Sequence, residues 1–322
     1  MKELHFLYFT VILIVAELLY FRMAGYYNII DKPNHRSSHT TLTVRGGGII
    51  FVLSILLYPI LFPFQLPYFL LGLLIISAIS FLDDLRPVSS LVRIICQLIA
   101  ISLFFYQLHL FDVPIYSVFA FTILAVGIIN AVNFMDGING ITGAYALITL
   151  ITLLYINEFT AVKFTTTNLI IAPIIAVMIF NYFNFRRNAM CFAGDIGSVG
   201  IAFIILFNIA QLIQYSGNFA YFLLLLIYGL DTSTTVFFRM MRKERLFEAH
   251  RSHFYQFLAN EKKLPHLVVA SIYAMSQALV NILIIFYSIE TFEAILLTCI
   301  ILLIGFLGLR FYLEGKTRLF RD

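Results

Sequence analysis

The sequence contains no tryptophan and only three cysteines, and Lys, Arg, Asp and Glu together make up 12% of its 322 residues. Soluble domains carry about 25% charged residues, so a water-facing surface of ordinary extent is excluded. Without Trp, any aromatic belt at a membrane boundary falls to the 34 Phe and 18 Tyr. Cys96, Cys191 and Cys299 stand far apart in or beside apolar runs, which gives no sign of a disulfide framework or a zinc knuckle and makes them small hydrophobes. A cleavable leader is not expected. The first apolar run, 4–24, is long enough to span, contains Glu17 and lacks a small-residue cleavage site. A net charge of +4 carries little information, and nothing points to a nucleic-acid partner.

What is present is apolar length. Hydrophobic residues make up 61% of the chain, and a spanning helix needs about 20 of them in succession. Eleven runs meet that criterion: 4–24, 46–64, 67–82, 91–110, 114–131, 142–157, 166–183, 198–214, 217–234, 266–287 and 291–310. The expected fold is all-α: one polytopic transmembrane domain over 1–322, a bundle of about eleven helices. Alternating the spans puts Lys2 and Lys163 on one side and the other nineteen of the 21 basic residues on the opposite side. The basic side reads as cytoplasmic, the N-terminus as outside (periplasmic in a bacterium) and the C-terminus as inside. The same alternation sends every polar segment, about 25–45, 83–91, 131–142, 184–198 and 235–265, to the cytoplasmic side.

Those segments carry the chemistry. Asp31–Gly48 offers Arg36, His39 and Arg45 with the glycine triplet Gly46–Gly48, cations and amides suited to phosphate; an ordinary basic loop would look similar. Asp83 and Asp84 are adjacent, and paired carboxylates call for a nearby cation or a shared proton, unless they are a solvated helix end. In NAVNFMDGINGITG, Asn130 to Gly143, the three-residue spacing of Asn133, Asp136 and Asn139 would align them on one face if the stretch is helical. In 184–200, Asp195 lies between glycines just before a span. Such a turn can present N–H groups to phosphate and a carboxylate to Mg2+, or can be a simple N-cap. In 239–263, Glu248, Arg251 and Tyr255 fall along an expected amphipathic helix, with His250 and His253 on one face at i, i+3. Phosphate recognition by His250, Arg251 and His253 suits this basic context better than zinc does. A basic helix resting on anionic headgroups is the plainer reading.

Taken in order, DDL (Asp83–Leu85), NFMDGING (Asn133–Gly140), FAGDIGS (Phe192–Ser198) and AHRSHFYQ (Ala249–Gln256) resemble the polyprenyl-phosphate N-acetylhexosamine-1-phosphate transferases. Within that family, which includes phospho-MurNAc-pentapeptide transferase, RSSH and RGGG in Arg36–Gly48 look most like the branch that initiates O-antigen or capsule synthesis. The resemblance implies transfer of an N-acetylhexosamine-1-phosphate, GlcNAc or a 6-deoxy relative such as QuiNAc or FucNAc, from a UDP-sugar to undecaprenyl phosphate. UMP is released, and a lipid-linked surface polysaccharide is begun. It implies Mg2+, with Mn2+ as a substitute, a multi-pass protein of the bacterial inner membrane, and a homodimer as one possible assembly. Asp83 and Asp84 would serve the lipid phosphate, with Asp84 also supporting the metal that Asp195 binds, and Asp136 would belong to the catalytic motif. Asn133, Asn139, Asn184 and Phe192 would meet the nucleotide-sugar, Phe192 by stacking on uracil. His250, Arg251 and His253 would meet diphosphate and sugar, with Arg36, His39 and Arg45 nearby. Many relatives carry Asp where this chain has Asn139, which suggests a steric or hydrogen-bonding role there.

The competing class is a transporter or flippase. It would be expected to line a path with ionisable residues near the membrane midplane. Glu17 falls within the first run, but Asp112 falls in an outside hairpin and Asp231 near a cytoplasmic helix end. The carboxylates of the polar segments cluster at one surface, which favours an enzyme.

Overall fold

The structure is a computed structural model that describes residues 2–31, 43–245, 251–287 and 289–320. Its helices are α1 (Lys2–Tyr26), α2 (Ile49–Leu56), α3 (Tyr58–Leu61), α4 (Pro67–Leu85), α5 (Ser90–Gln107), α6 (Ile115–Met135) and α7 (Ile141–Phe159). There follow α8 (Thr167–Asn184), α9 (Gly194–Ser216), α10 (Leu226–Met241), α11 (Phe254–Asn260), α12 (His266–Phe286), α13 (Phe292–Glu314) and α14 (Lys316–Phe320). Two-residue strands β1 (Ile30–Asp31) and β2 (Thr43–Val44) pair antiparallel. Among the described residues ten helical runs are long and apolar enough to span a membrane, and the protein is a polytopic helical membrane protein.

The second expected span departs from this pattern. Its apolar helix is short, Ile49–Leu61, because Gly46–Gly48 form a turn at its start and Pro59 lies in α3 after a break at Leu57. It is packed between α1, α4, α8 and α9. The third span instead gains a turn and runs through both aspartates to Leu85.

Because lipid is as apolar as Leu, helices in a membrane associate through close packing and polar pins. Helix α9 is the centre: 89% of its apolar window is buried, against α4, α6, α2 and α7. Phe69 of α4 stacks on Phe207 of α9 at 3.9 Å between ring centroids. Residues 219–225 form a 3-10 segment ahead of α10, which leaves backbone groups without helical partners. Gln277 of α12 answers them: its Oε1 accepts from Ile227 N (3.0 Å) and its Nε2 donates to Leu223 O (2.9 Å). An irregular backbone inside a bilayer requires such satisfaction.

At the site end, two glycine turns lie face to face. Val44 bridges to Cys191 in parallel, and Gly47 N and Gly48 N donate to the carbonyls of Phe192 (2.8 Å) and Ala193 (3.1 Å). A Cβ on Gly48 would collide with the Cα of Gly197 in the first turn of α9, and one on Gly194 (φ +70) would strike Asp84 and Gly46. Glycine is required at these positions by backbone-to-backbone approach. Gly48→Ala should therefore lower the thermal midpoint in detergent by the equivalent of about 1–3 kcal/mol, the usual cost of overpacking. Gly127→Ala, at a helical position with open space around it, should not lower it.

Candidate active site

Helix alternation collects the polar groups at one end of the bundle: the C-terminal ends of α4, α6, α8, α10 and α13 and the N-terminal ends of α5, α7, α9 and α12. Asp83 and Asp84 occupy the last turn of α4. Adjacent helical residues diverge by about 100°, and the two carboxylates take different partners. Asp84 turns inward. Its side chain is fully buried, Oδ1 accepts from Arg45 Nε (2.7 Å) and from Asp195 N (2.9 Å), and Oδ2 accepts from Ile196 N (3.0 Å). It is thus the anion at the N-terminus of α9, where helical N–H groups have no partner of their own. The expectation that this turn offers amides to phosphate is corrected: Asp84 already holds two of them, and the Gly47 and Gly48 amides are spent on carbonyls.

Asp83 turns the other way. Oδ1 accepts from Val88 N (2.6 Å), tying the α4–α5 turn, and Oδ2 pairs with Arg93 Nη1 (3.0 Å). Asp195 shares Arg93 with Asp83, its Oδ2 lying 3.9 Å from Arg93 Nη1, and its Oδ1 lies 4.0 Å from Arg45 Nη2. Asp195 and Asp83 keep side-chain exposures of 22% and 12%, against 0% for Asp84. The accessible acid pair is therefore Asp83 with Asp195. Asp84 is committed to the fold, and this bears on the metal role expected of it.

The Asn130–Gly143 stretch is not one helical face. Helix α6 ends at Met135, Asp136 is its C-cap, and Gly140 (φ +83) starts α7 after a turn. Asn133 Oδ1 accepts from Ser198 Oγ of α9 (2.7 Å). Asp136 Oδ1 accepts from Thr142 Oγ1 (2.5 Å). Enclosure pushes the Asp136 carboxyl up to about 6, while the Thr142 hydrogen bond pulls in the opposite direction. Asn139 is buried, and its Nδ2 donates to the carbonyls of Arg186 (3.0 Å) and Arg187 (3.1 Å). Asn184, also buried, accepts from Gly140 N (2.7 Å) and donates to Cys191 O (2.7 Å). Both amides lock turns together, and they face the protein interior. Phe192 is half-buried, with its backbone N donating to Val44 O (2.8 Å).

In the last polar segment the expected helix is shorter than its pattern. Helix α11 starts at Phe254 with His253 as its N-cap, so His253 and Arg251 precede it. His253 Nδ1 lies 3.2 Å from Asp231 Oδ1. Tyr255 donates its hydroxyl to Phe134 O (3.0 Å), docking this segment on the end of α6. Arg251 Nε and Nη2 are buried and find no hydrogen-bond partner among the described residues. Arg36, His39, Glu248 and His250 lie outside the described residues.

Sequence reasoning missed Arg93, Ser198, Asp231 and Arg310. Arg93 counted only toward sidedness, although it follows Asp83 across a hairpin. Asp231 and Arg310 are ionisable residues inside apolar runs, a signal that by default marks a site. The position of Asp231 near a helix end masks that signal.

The comparisons with known proteins bear on the same segments. Residues 66–213 match the family model described as Glycosyl transferase family 4. The matched stretch runs from the start of α4 into the last turn of α9. It contains Asp83, Asp84, Asn133, Asp136, Asn139, Asn184, Phe192 and Asp195, but neither Arg45 nor the His253 segment. It supports a membrane sugar-phosphate transferase in general terms. No curated protein matches the chain.

Asn139→Asp should destabilise the fold, because a carboxylate would replace the donor facing two carbonyls; the expected loss is about 1–3 kcal/mol, read from thermal unfolding. Asp136 provides a pH test. Its raised value means that its contribution is complete below the ordinary aspartate range and is lost as pH rises through about 6. Between pH 4 and 6.5 the wild-type midpoint should decline relative to that of Asp136→Asn.

Proposed function

We propose that the protein transfers an N-acetylhexosamine-1-phosphate from a UDP-sugar to undecaprenyl phosphate. An oxygen of the lipid phosphate would bond to the sugar-linked phosphorus, the bond from that phosphorus to the bridging oxygen would break, and UMP would leave. The donor class, GlcNAc or a 6-deoxy-N-acetylhexosamine, the polysaccharide begun, the bacterial inner membrane and a cytoplasmic-facing site all rest on the motif resemblance and on the basic-residue asymmetry.

One observation carries the reading: Asp83 and Asp195 both meet Arg93, and Asp195 also meets Arg45. Two carboxylates gathered on one guanidinium favour a further cation or a shared proton. With Asp84, three carboxylates meet two guanidinium groups, so arriving phosphates would enter a region without surplus positive charge. Mg2+ fits that deficit, since it commonly binds through one or two carboxylates and completes its shell with phosphates and waters. Asp195 is the residue that would hold it, with Asp83 beside it once Arg93 gives up Oδ2; Asp84 is fully enclosed. When bound, the ion would neutralise diphosphate charge as it develops. Arg45 and Arg93 would orient phosphate oxygens, and Arg251, with two buried guanidinium nitrogens that find no partner among the described residues, suits a phosphate as well. His253 would meet the diphosphate or sugar.

The test is UMP release by the purified protein with undecaprenyl phosphate, Mg2+ and a panel of UDP-N-acetylhexosamines. Turnover with at least one donor is expected, falling about 100-fold or more in Asp195→Ala. Absence of turnover with every donor, or an Asp195→Ala variant equal to wild type, would overturn the reading.

A further inference from the structure

We propose that Asp231 is a positioning residue for this chemistry: from inside the membrane span it sets the orientation and tautomer of His253. The inference rests on the transferase reading for its kinetic consequence, though not for its geometry.

Asp231 is completely buried in α10. A carboxylate in an apolar span is costly, about 2.5–3.5 kcal/mol on insertion scales, and needs donors to offset that cost. Asp231 has five. Its Oδ1 accepts from Thr235 Oγ1 (3.1 Å) and Phe254 N (3.0 Å) and meets His253 Nδ1 at 3.2 Å; its Oδ2 accepts from Tyr255 N (3.1 Å) and Tyr273 Oη (2.5 Å). An ionised carboxylate can only accept, so His253 Nδ1 must carry a proton, and Nε2, itself buried, is the ring nitrogen that Asp231 does not hold. Such carboxylate-to-imidazole contacts fix ring orientation as well as tautomer.

The grip has a second side. Arg310 of α13 is buried, donates from Nη2 to Ser252 O (3.2 Å), and donates from Nη1 to Thr234 Oγ1 (2.9 Å) and Thr235 Oγ1 (3.0 Å). Thr235 thus joins the two charges, and residues 252–255 are strung between them. Residue 252 presents its carbonyl to the cation, and 253–255 present donors to the anion. Tyr255 then carries that placement to α6 through Phe134 O. An amide at 231 could not reproduce the anionic end. Its NH2 group would face a backbone N–H or the His253 ring nitrogen, so at least one donor would be expelled.

The experiment uses the full-length protein in one membrane mimic as wild type, Asp231→Asn, His253→Ala and the double variant. Asp231→Asn should lower kcat about 100-fold, the scale of a misplaced reacting group, with KM for donor and acceptor changed less than about threefold. The double variant should match His253→Ala alone, since both changes remove one function. Wild-type kcat in Asp231→Asn, or losses that multiply in the double variant, would overturn the proposal. A readout independent of turnover is the ring 15N spectrum of labelled histidine, with His253 assigned from His253→Ala. Asp231→Asn should shift the His253 resonances and leave the other histidines in place, and an unshifted ring would overturn the proposal whether or not any donor turns over. If Asp231→Asn does not accumulate, Tyr273→Phe removes one donor to the same carboxylate. It should move the same resonances in smaller measure, and no movement would count against the proposal equally.

Discussion

The site end of the bundle depends on one buried carboxylate, Asp84, accepting from the Asp195 and Ile196 amides and from Arg45 Nε. Helix α9 is the most enclosed of the spans, so water cannot satisfy its first-turn N–H groups and an anion must. Asp84 supplies that anion from α4. Once it does, the backbone of Asp195 is fixed, and the Asp195 side chain is committed to the side where Asp83 and Arg93 stand. Arg45 is fixed by the same contact, with its own carbonyl held by Tyr20 Oη at 2.6 Å. Burial alone would depress the basicity of Arg45, but the Asp84 and Asp195 charges more than offset it, so the cation is secure beside the acid pair.

The same device recurs on the other side of the site. Asp231 holds the first amides of α11 as Asp84 holds those of α9, and each also engages a basic group, His253 in one case and Arg45 in the other. The aspartates therefore divide by accessibility. Asp84 and Asp231 are enclosed and bear on architecture and orientation; Asp83 and Asp195 remain reachable, and Asp136 lies between the two groups at the end of α6. Mutating any of the five would reduce activity in a transferase, for different reasons, which is why activity loss alone cannot separate them.

Much of the fold was legible because a membrane span is the strongest periodic signal a chain can carry. The helices came where the apolar runs came, and parity alone foretold that the polar segments would share one end. The short second span was not legible, since its apolar run is continuous while its helix is cut by a glycine turn and by Pro59. Within the site, the residues were legible as a set and their assignments were not. Sequence spacing cannot say that Asp84 faces inward and Asp83 outward, or that Asn133, Asp136 and Asn139 straddle a turn. The asparagine at 139 reads as a lost carboxylate until its two carbonyl partners are seen; a donor is then the only group that suits the place. Asp231 was the clearest omission, and its signal was present in an acid within an apolar run.

The distribution of charge along the spans separates an enzyme from a conduit. A transport path needs ionisable groups that continue across the membrane. Here Asp231 and Arg310 both hold residues 252–255 at the site end, and Arg310 is also paired there with Glu314 at 2.5 Å. Glu17 is buried in α1 behind the same end: a side chain on Gly47 would come within 3.4 Å of its Oε1. Glu158 and Glu293 lie at the opposite ends of α7 and α13, as boundary residues do. Between those levels the polar groups of the described spans are neutral, among them Tyr145, Thr152, Asn208, Gln277 and Asn281. A charged solute would find a site at one surface and no continuation beyond it, which is the arrangement a membrane-surface transferase requires.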